Sequence, residues 1–184
     1  ILGDNIFHGK LDFFRRALRH PEGACIFAYQ VKDPERYGVI EFDAEGRALS
    51  IEEKPAQPRS HFAVPGLYLY DAAVLEIARN LQPSPRGELE ITDVNRAYLA
   101  NNALRVEPLG RGVAWLDTGT PESLLDASPY IATLEHRQGL KVACIEEIAH
   151  TMGFIDDDGL GRIIAALPRN AYRSYLEAVL ADRI

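Results

Sequence analysis

The first part of the chain alternates between continuous apolar runs and apolar residues at helical spacing. The opening residues, Ile1 to Asn5, indicate the end of a buried strand that closes on a carboxylate and an amide. From Lys10 to Arg19 the apolar side chains recur three to four residues apart, which predicts a helix. Ala24 to Val31 is almost wholly apolar and predicts a second buried strand. A strand, a helix and a strand in succession predict a β-α-β unit with parallel pairing.

The pattern then changes to short strand-like runs, which predict an inserted antiparallel section. Residues 37–42 and 48–51 flank the turn sequence Asp43-Ala44-Glu45-Gly46, so we expect a hairpin. Residues 62–70 are again strand-like, and Pro65-Gly66 predicts a break near their middle. The later elements follow from the same rules, with Asp71 and Thr120 as expected helix caps. They are a helix over 74–81, a helix within 89–100, a strand over 104–109 and a strand that leads into Asp117.

Helical spacing dominates from about residue 121 onward. The apolar positions predict helices over 122–134, 140–149, 160–167 and 171–180, with Pro121 suited to a first helical turn. We therefore expect an α/β fold in two parts. Residues 1–120 form the part that contains the sheet, and residues 121–184 form a helical appendage.

Composition narrows the classes of partner. The 184 residues are 47% hydrophobic and 26% charged, which is typical of a globular protein. The net charge of -7 disfavours a nucleic-acid partner or an anionic membrane surface. No apolar stretch reaches the ~18 residues that a membrane-spanning helix needs. Cys25 and Cys144 lie in apolar runs without zinc-site spacing, so we expect buried free thiols and a reducing cytoplasm.

Two aspartates follow strand-like runs and could hold a cation. Asp4 ends the opening run, and Asp117 ends the run in W-L-D-T-G-T. Ligands of open α/β sheets bind beyond the carboxyl ends of the strands, and magnesium commonly takes one or two carboxylates together with substrate phosphates. A phosphate-directed magnesium site therefore fits these two residues. Each aspartate could equally cap a helix or turn a loop.

Several other residues could contact a phosphorylated ligand. Lys54 in E-E-K-P follows a strand, and Pro55 predicts an extended backbone there. Its ammonium could meet a phosphate, and a neighbouring Glu could bind sugar hydroxyls, although a solvated charge run is the alternative. Arg86 lies in a proline-stiffened loop and could be a phosphate contact or an ordinary surface residue. Trp115 could stack on a sugar or belong to the core.

A set of motifs in one order gives a more specific indication. The motifs are L-G-D-N-I-F, D-P-E-R-Y-G-V, E-E-K-P, G-L-Y-L-Y-D, R-G-E-L-E-I-T-D-V-N, W-L-D-T-G-T and H-R-Q-G-L-K-V. Together they resemble the sugar nucleotidyltransferase family, and within it the thymidylyltransferases that act on glucose 1-phosphate. The resemblance implies a partial Rossmann-like mixed sheet with an inserted antiparallel sugar-binding section and a C-terminal helical regulatory and oligomer-forming appendage.

The resemblance also implies a reaction and a set of roles. Glucose 1-phosphate and dTTP would give dTDP-glucose and pyrophosphate, with Mg2+ as cofactor, in dTDP-rhamnose synthesis. A dTDP-sugar or thymidine nucleotide would act as effector, and the family suggests a homotetramer. The implied site residues are Asp4 and Asp117 for the metal, Lys54 and Arg86 for the phosphate, Asn5, Tyr37, Gly38, Glu53, Lys54, Val64 and Trp115 for the sugar, and Arg111, Glu147 and Ile148 for the effector.

The chain also departs from the family pattern. The Gly-rich nucleotide-binding loop, G-G-x-G-T-R-L, would precede Ile1, so we expect a chain of this extent to have little or no activity alone. Pro65 replaces a usual Thr beside the sugar pocket, and Thr151 replaces a usual Arg in the regulatory region. Two alternatives stay open at this stage. One is a non-catalytic sugar-phosphate-binding and assembly module, and the other is a transferase that uses UTP or another nucleotide.

Overall fold

The structure, a computed structural model, describes residues 1–181, which fall into two compact units. The first unit contains residues 1–124 and the second begins at Leu125. The roles predicted for the sheet-containing part and the helical part stay predictions. None of the helices within residues 1–181 combines the length and the apolar character needed to cross a bilayer.

The first unit contains eight strands among its described elements. They are β1 (Asn5–His8), β2 (Ala24–Gln30), β3 (Gly38–Phe42), β4 (Ala48–Glu53), β5 (Phe62–Ala63), β6 (Tyr68–Tyr70), β7 (Leu104–Pro108) and β8 (Ala114–Asp117). Its helices are α1 (Asp12–Ala17), α2 (Val74–Arg79) and α3 (Ile91–Ala100), with a short 3-10 turn over Pro34–Arg36. The predicted hairpin, the broken strand around Pro65-Gly66 and the helix within 89–100 are confirmed.

Strand β2 organises the larger sheet. It pairs antiparallel with β5 and β6 and parallel with β7, while the β3–β4 hairpin joins through β5. Alternate side chains of β2 point to opposite faces, so Cys25 and Phe27 enter one core cluster and Ile26 and Ala28 enter another. All four are at most 1% exposed. This mixed sheet with flanking helices confirms the predicted α/β class.

The opening of the chain differs from the prediction. Ile1 and Leu2 are exposed, and β1 begins at Asn5 rather than ending there. Strand β1 pairs antiparallel with β8 in a separate two-stranded sheet, and the parallel partner of β2 is β7. Helix α1 and strand β2 lie within the segments predicted for them, but the opening strand lies later than predicted. The β-α-β pairing was also wrong, because the partner of a strand depends on distant residues.

Two local predictions also need correction. Lys54 has a left-handed backbone with φ of +43°, not the extended conformation expected before Pro55. Its N–H donates to the Tyr37 carbonyl at 3.0 Å, which holds it against the hairpin. Asp71 is not the cap of α2, because Ala73 occupies that position. Its carboxylate accepts bonds from the Ala73 N–H just before α2, and also from the Gly23 N–H and the Tyr98 hydroxyl.

The helix α4 (Pro121–Gln138) starts in the first unit, and the second unit also contains α5 (Ile145–Thr151), α6 (Asp157–Ala166) and α7 (Ala171–Leu180). Thr120 caps α4 as predicted, since its Oγ1 accepts from the Ser123 N–H. Residues 140–144 precede α5 rather than forming its first turn. Buried Cys144, Leu160, Ile164 and Leu176 form the core of the second unit. Both cysteines are buried free thiols, as predicted.

Candidate functional site

The pairing of β1 with β8 brings Asp4 and Asp117 together at one end of a two-stranded sheet. Asn5 lies opposite Asp117 in this antiparallel register, so the start of one strand meets the end of the other. The Asp4 carbonyl accepts bonds of 2.8 and 2.9 Å from the N–H and hydroxyl of Thr118, which fixes the two segments to each other. The two carboxylates face one cleft within the first unit.

Gly119 shows how close these carboxylates are. A Cβ placed on Gly119 would lie 3.1 Å from the Asp117 Oδ1 and 3.1 Å from the Asp4 Oδ2. Because both oxygens are 3.1 Å from the same point, they are at most about 6 Å apart. Small shifts of the side chains would let both reach one cation. The absence of a side chain at residue 119 leaves room for such a shift.

Asn5 links the metal-site candidates to the wall of the cleft. Its Nδ2 donates to the Asp4 Oδ1 at 2.7 Å. Its Oδ1 accepts from the Trp115 indole N–H at 2.7 Å and from the Gly66 N–H at 2.9 Å. These bonds use both acceptor sites of Oδ1 and one of the two N–H groups of Nδ2, so Asn5 braces Asp4, Trp115 and the loop at Gly66 against one another.

Aromatic side chains form one wall of the cleft. The Tyr37 and Trp115 rings lie 5.0 Å apart, and Tyr29 packs edge-on against Trp115 at 5.7 Å. Trp115 is 8% exposed, so it belongs to the core and also lines the cleft. The Arg36 guanidinium lies over the Tyr37 ring, 5.4 Å from its centre. Burial raises the pKa of the Tyr37 hydroxyl, Arg36 opposes that rise, and the carboxylates of Asp33 and Asp117 add to it.

Glu53 and Gly38 lie opposite each other on the β3–β4 hairpin and form another part of the lining. The Glu53 Oε2 accepts a 2.5 Å bond from the Thr92 hydroxyl on α3. A Cβ on Gly38 would lie 3.3 Å from the Thr92 Oγ1 and 3.4 Å from Glu53 Oε2, so glycine permits this close packing. Val64 completes the region, since its N–H donates to the Gly38 carbonyl at 2.8 Å. Burial first, and then the charges of Glu53 and Asp4, raise the pKa of nearby Tyr68 to about 12.

The two cationic residues predicted for the phosphate differ in position. Lys54 follows the last residue of β4, is exposed and lines the cleft. Arg86 is not among the lining residues of the cleft. Its guanidinium lies 3.8 Å from Glu53, 3.2 Å from Glu88 and 3.5 Å from Glu90. It therefore reaches the cleft only through the Glu53 carboxylate.

The residues predicted for an effector lie in different units. Arg111 is exposed on the loop before β8 in the first unit. In the second unit, Glu147 accepts a 2.6 Å bond from the Tyr175 hydroxyl, and Ile148 is 49% exposed. Thr151 is the last residue of α5. Their regulatory role stays a prediction.

Several lining residues were not singled out from the sequence. They are Leu2, Arg36, Gly66, Tyr68, Ile91, Thr92 and Asn95. Thr92 and Asn95 are one helical turn apart on α3 and are both at most 2% exposed. In T-D-V-N, Thr92 and Asn95 are three residues apart, which is the spacing of one helix face, and this spacing was the available signal in the sequence.

The donor set fits a divalent cation of the oxygen-binding class. Within residues 1–181, no group of three or more His, Cys, Asp or Glu side chains is arranged to hold a metal by itself. Asp4 and Asp117 are a pair of carboxylates that share an open cleft with Lys54. Mg2+ is commonly held by one or two carboxylates and completed by water and substrate phosphates. Such an ion would need the ligand to complete its shell here.

Comparison with known proteins places this geometry in a family. Residues 1–133 match the family described as nucleotidyl transferase. A glucose-1-phosphate thymidylyltransferase of Xanthomonas campestris pv. campestris (strain B100) is 55% identical over 181 residues, covering 97% of this chain and 61% of the relative. A protein of the same name from Mycolicibacterium smegmatis is 56% identical over 180 residues, covering 97% and 62%. The chain thus spans about three fifths of the length of these curated relatives.

Solved structures agree with the sequence comparison. A Bacillus anthracis structure of a proposed glucose-1-phosphate thymidylyltransferase in complex with sucrose superposes with a TM-score of 0.63 at 41% identity, over 71% of this chain and 52% of that one. The UTP-bound UGPase of Acinetobacter baumannii shares the fold, with a TM-score of 0.55 at 21% identity over 71% and 48%. The family match covers both carboxylates and the whole lining of the cleft. The chain therefore belongs to the nucleotidyl transferase family.

Proposed function

We propose that the full-length protein is a glucose-1-phosphate thymidylyltransferase. A phosphate oxygen of glucose 1-phosphate would attack the α-phosphorus of dTTP and form a new P–O bond. The bond from that phosphorus to the oxygen bridging to the β-phosphate would break, and pyrophosphate would leave with the electron pair. The names of the relatives and the lining of the cleft support this reaction.

The residues of the cleft divide into complementary chemical groups. Lys54 supplies a positive charge for the sugar phosphate, since a phosphate favours a cation at short range. Glu53, held by Thr92, offers a carboxylate to the hydroxyl groups of the sugar. Trp115 and Tyr37 provide an apolar ring surface, and Gly38 leaves space beside Glu53. Asn5 fixes the positions of Trp115 and Asp4 relative to each other through hydrogen bonds to both side chains.

We further propose Asp4 and Asp117 as the residues that hold Mg2+. When bound, the ion would neutralise charge on the phosphates and favour departure of pyrophosphate. The two aspartates would hold it in the cleft that Lys54 also lines. We propose that Arg86 neutralises part of the phosphate charge. Its guanidinium would then have to leave its three carboxylate neighbours and pair with the phosphate.

The observation that carries the proposal is the juxtaposition of Asp4 and Asp117 in the cleft that Lys54 lines. The test is release of pyrophosphate by the full-length protein from dTTP and glucose 1-phosphate at varied Mg2+. Asp4→Asn and Asp117→Asn are expected to lower the rate by about 1000-fold, because loss of a metal site removes several kcal/mol of stabilisation. Asp126→Asn, at an exposed position of α4, is the matched control and should keep the wild-type rate.

Two results would count against the proposal. Pyrophosphate release that equals a buffer blank would remove the activity altogether. Equal rates for the wild type and both aspartate variants would remove the metal assignment. Competition among dTTP, UTP and the other nucleotides in the same assay would decide the base preference, which we propose to be thymine from the names of the relatives.

The setting of the enzyme is part of the proposal. The product, dTDP-glucose, would enter dTDP-rhamnose synthesis. Free buried thiols at Cys25 and Cys144 support a reducing compartment, and we propose the cytoplasm. A homotetramer regulated by a dTDP-sugar at Arg111, Glu147 and Ile148 is proposed from the family resemblance. Sedimentation and effector titration of the full-length protein would test these two points.

A further inference from the structure

Asn95 is a buried amide with one unused hydrogen-bonding group. The residue is 1% exposed, lies on α3 and lines the cleft. Its Oδ1 accepts a 2.6 Å bond from the Tyr70 hydroxyl. Its Nδ2 is the one buried side-chain nitrogen or oxygen within residues 1–181 that has no hydrogen-bond partner. Buried amides are nearly always paired, so an unpaired one calls for a reason.

Tyr70 determines which end of the amide is unused. Its ring is stacked between those of Tyr68 and Tyr98, with centres 5.9 and 5.6 Å away. Burial strongly raises its pKa, so the phenol stays protonated and has a proton to donate. Among the described residues, Asn95 is the partner of this hydroxyl. If the amide were reversed, the phenol proton would lack an acceptor, so the NH2 group is the end left free.

The surroundings indicate what that NH2 group can bind. Thr92 lies one turn earlier on α3, and its hydroxyl holds Glu53 in the same cleft. A sugar hydroxyl both donates and accepts hydrogen bonds. Glu53 can accept a hydrogen bond from a sugar hydroxyl, whereas the Asn95 NH2 can donate one to a hydroxyl oxygen. An amide nitrogen cannot coordinate a cation, and Lys54 already supplies charge for a phosphate.

We propose that Asn95 determines sugar specificity by donating a hydrogen bond from Nδ2 to one hydroxyl oxygen of the bound hexose. This inference rests on the proposed function and adds to it a role for Asn95 in sugar specificity. A sugar that lacks that oxygen leaves the amide unpaired in a buried position. Sites that are built to pair with a hydroxyl reject the analogue without it for this reason.

The test compares Asn95→Ala and Asn95→Asp in the full-length protein with a panel of sugars. The panel contains glucose 1-phosphate and its 2-, 3-, 4- and 6-deoxy analogues, with pyrophosphate release as the readout. Both variants should lower kcat/KM for glucose 1-phosphate by about 10-fold or more, since a buried hydrogen bond is lost. For one deoxy analogue the same variants should match the wild type, because the bond is absent there already. Asn95→Asp keeps the acceptor for Tyr70 and decides the question if Asn95→Ala does not fold.

The controls separate specificity from structure. Asn101→Ala makes the same chemical change at an exposed position that follows α3, and it should leave every ratio unchanged. Tyr70→Phe removes the brace but keeps the donor, so the preference for glucose 1-phosphate over the critical deoxy analogue should persist. An equal loss for all five sugars in both Asn95 variants would overturn the inference while leaving the proposed function intact. Lack of turnover by the wild type with every sugar would remove the proposed function, and the inference with it.

Discussion

Substitution of Gly119 by Ala tests the proposed metal site without removing a ligand. The glycine is exposed, and its φ lies outside the left-handed region, so the backbone can accept an alanine. The new methyl carbon would lie 3.1 Å from one oxygen of Asp4 and 3.1 Å from one oxygen of Asp117. Ordinary contacts begin near 3.4 Å, so each carboxylate must move by a few tenths of an ångström.

The direction of that movement gives the expected size of the effect. A Mg2+ ion held by both aspartates needs each ligand oxygen at about 2.1 Å, which places the two oxygens within about 4.2 Å of each other. The methyl group instead pushes them away from a point between them. Disturbing the residues that orient metal ligands typically lowers metal affinity or activity by about 10- to 100-fold. We expect Gly119→Ala to raise the Mg2+ concentration for half-maximal activity by this factor.

The assay is pyrophosphate release by the full-length protein across a Mg2+ titration. High Mg2+ should partly restore the rate of Gly119→Ala, whereas Asp4→Asn should stay inactive. Gly110→Ala is the matched control, because a Cβ there meets nothing within 4 Å and the backbone is not left-handed. A Mg2+ dependence identical to that of the wild type, with Asp4→Asn inactive, would refute the idea that the ion lies between the two carboxylates.

Three further predictions follow from named hydrogen bonds. Thr92→Val removes the 2.5 Å bond to the Glu53 carboxylate, so kcat/KM for the sugar phosphate should fall by about 10- to 100-fold, since bonds to charged groups are worth about 1.5–3 kcal/mol. An unchanged kcat/KM would contradict the role of Glu53. The Tyr98 hydroxyl and the Gly23 N–H lower the pKa of Asp71 in the folded protein. The ionised Asp71 therefore stabilises the fold at a pH above the ordinary carboxyl pKa, and this stabilisation is lost as the pH falls through the pKa of the folded state. The thermal unfolding midpoint should therefore fall more steeply below about pH 4 in the wild type than in Asp71→Asn. Parallel plots of midpoint against pH for the two proteins would contradict this prediction. Asn170 caps α7, because its side chain accepts a 2.9 Å bond from the Arg173 N–H. Denaturant titration of Asn170→Ala should therefore show a free energy of unfolding lower by about 1 kcal/mol. An unchanged free energy of unfolding would mean that α7 does not depend on this cap.

Local features of the sequence predicted most elements because short-range periodicity determines them. The apolar run of β2, the hairpin turn at Asp43–Gly46 and the cap at Thr120 each depend on neighbours within a few residues. The pairing of β1 did not follow, since its partner is more than a hundred residues away. Asp4 and Asp117 were each predicted to follow the carboxyl end of a strand. They meet because the start of β1 lies beside the end of an antiparallel β8.

The residues that line the cleft could be predicted where the family resemblance supplied motifs, and elsewhere the prediction was incomplete. Lys54 was expected to be extended before Pro55, but its bond to the Tyr37 carbonyl stabilises a left-handed backbone that local preference disfavours. Asn95 was not singled out, because a polar residue on a helix ordinarily faces water. Only the packing of α3 against the strands reveals that this amide is buried.

Trp115 has a practical consequence. The chain contains one tryptophan, and that indole donates its N–H to Asn5 in the wall of the cleft. Indole emission depends on the polarity and charge around the ring. Fluorescence excited at the indole band in this chain therefore originates beside Asp4 and Asp117, with no second indole to dilute it. The cleft thus carries a built-in optical probe, and filling it with ligand can be followed without labels.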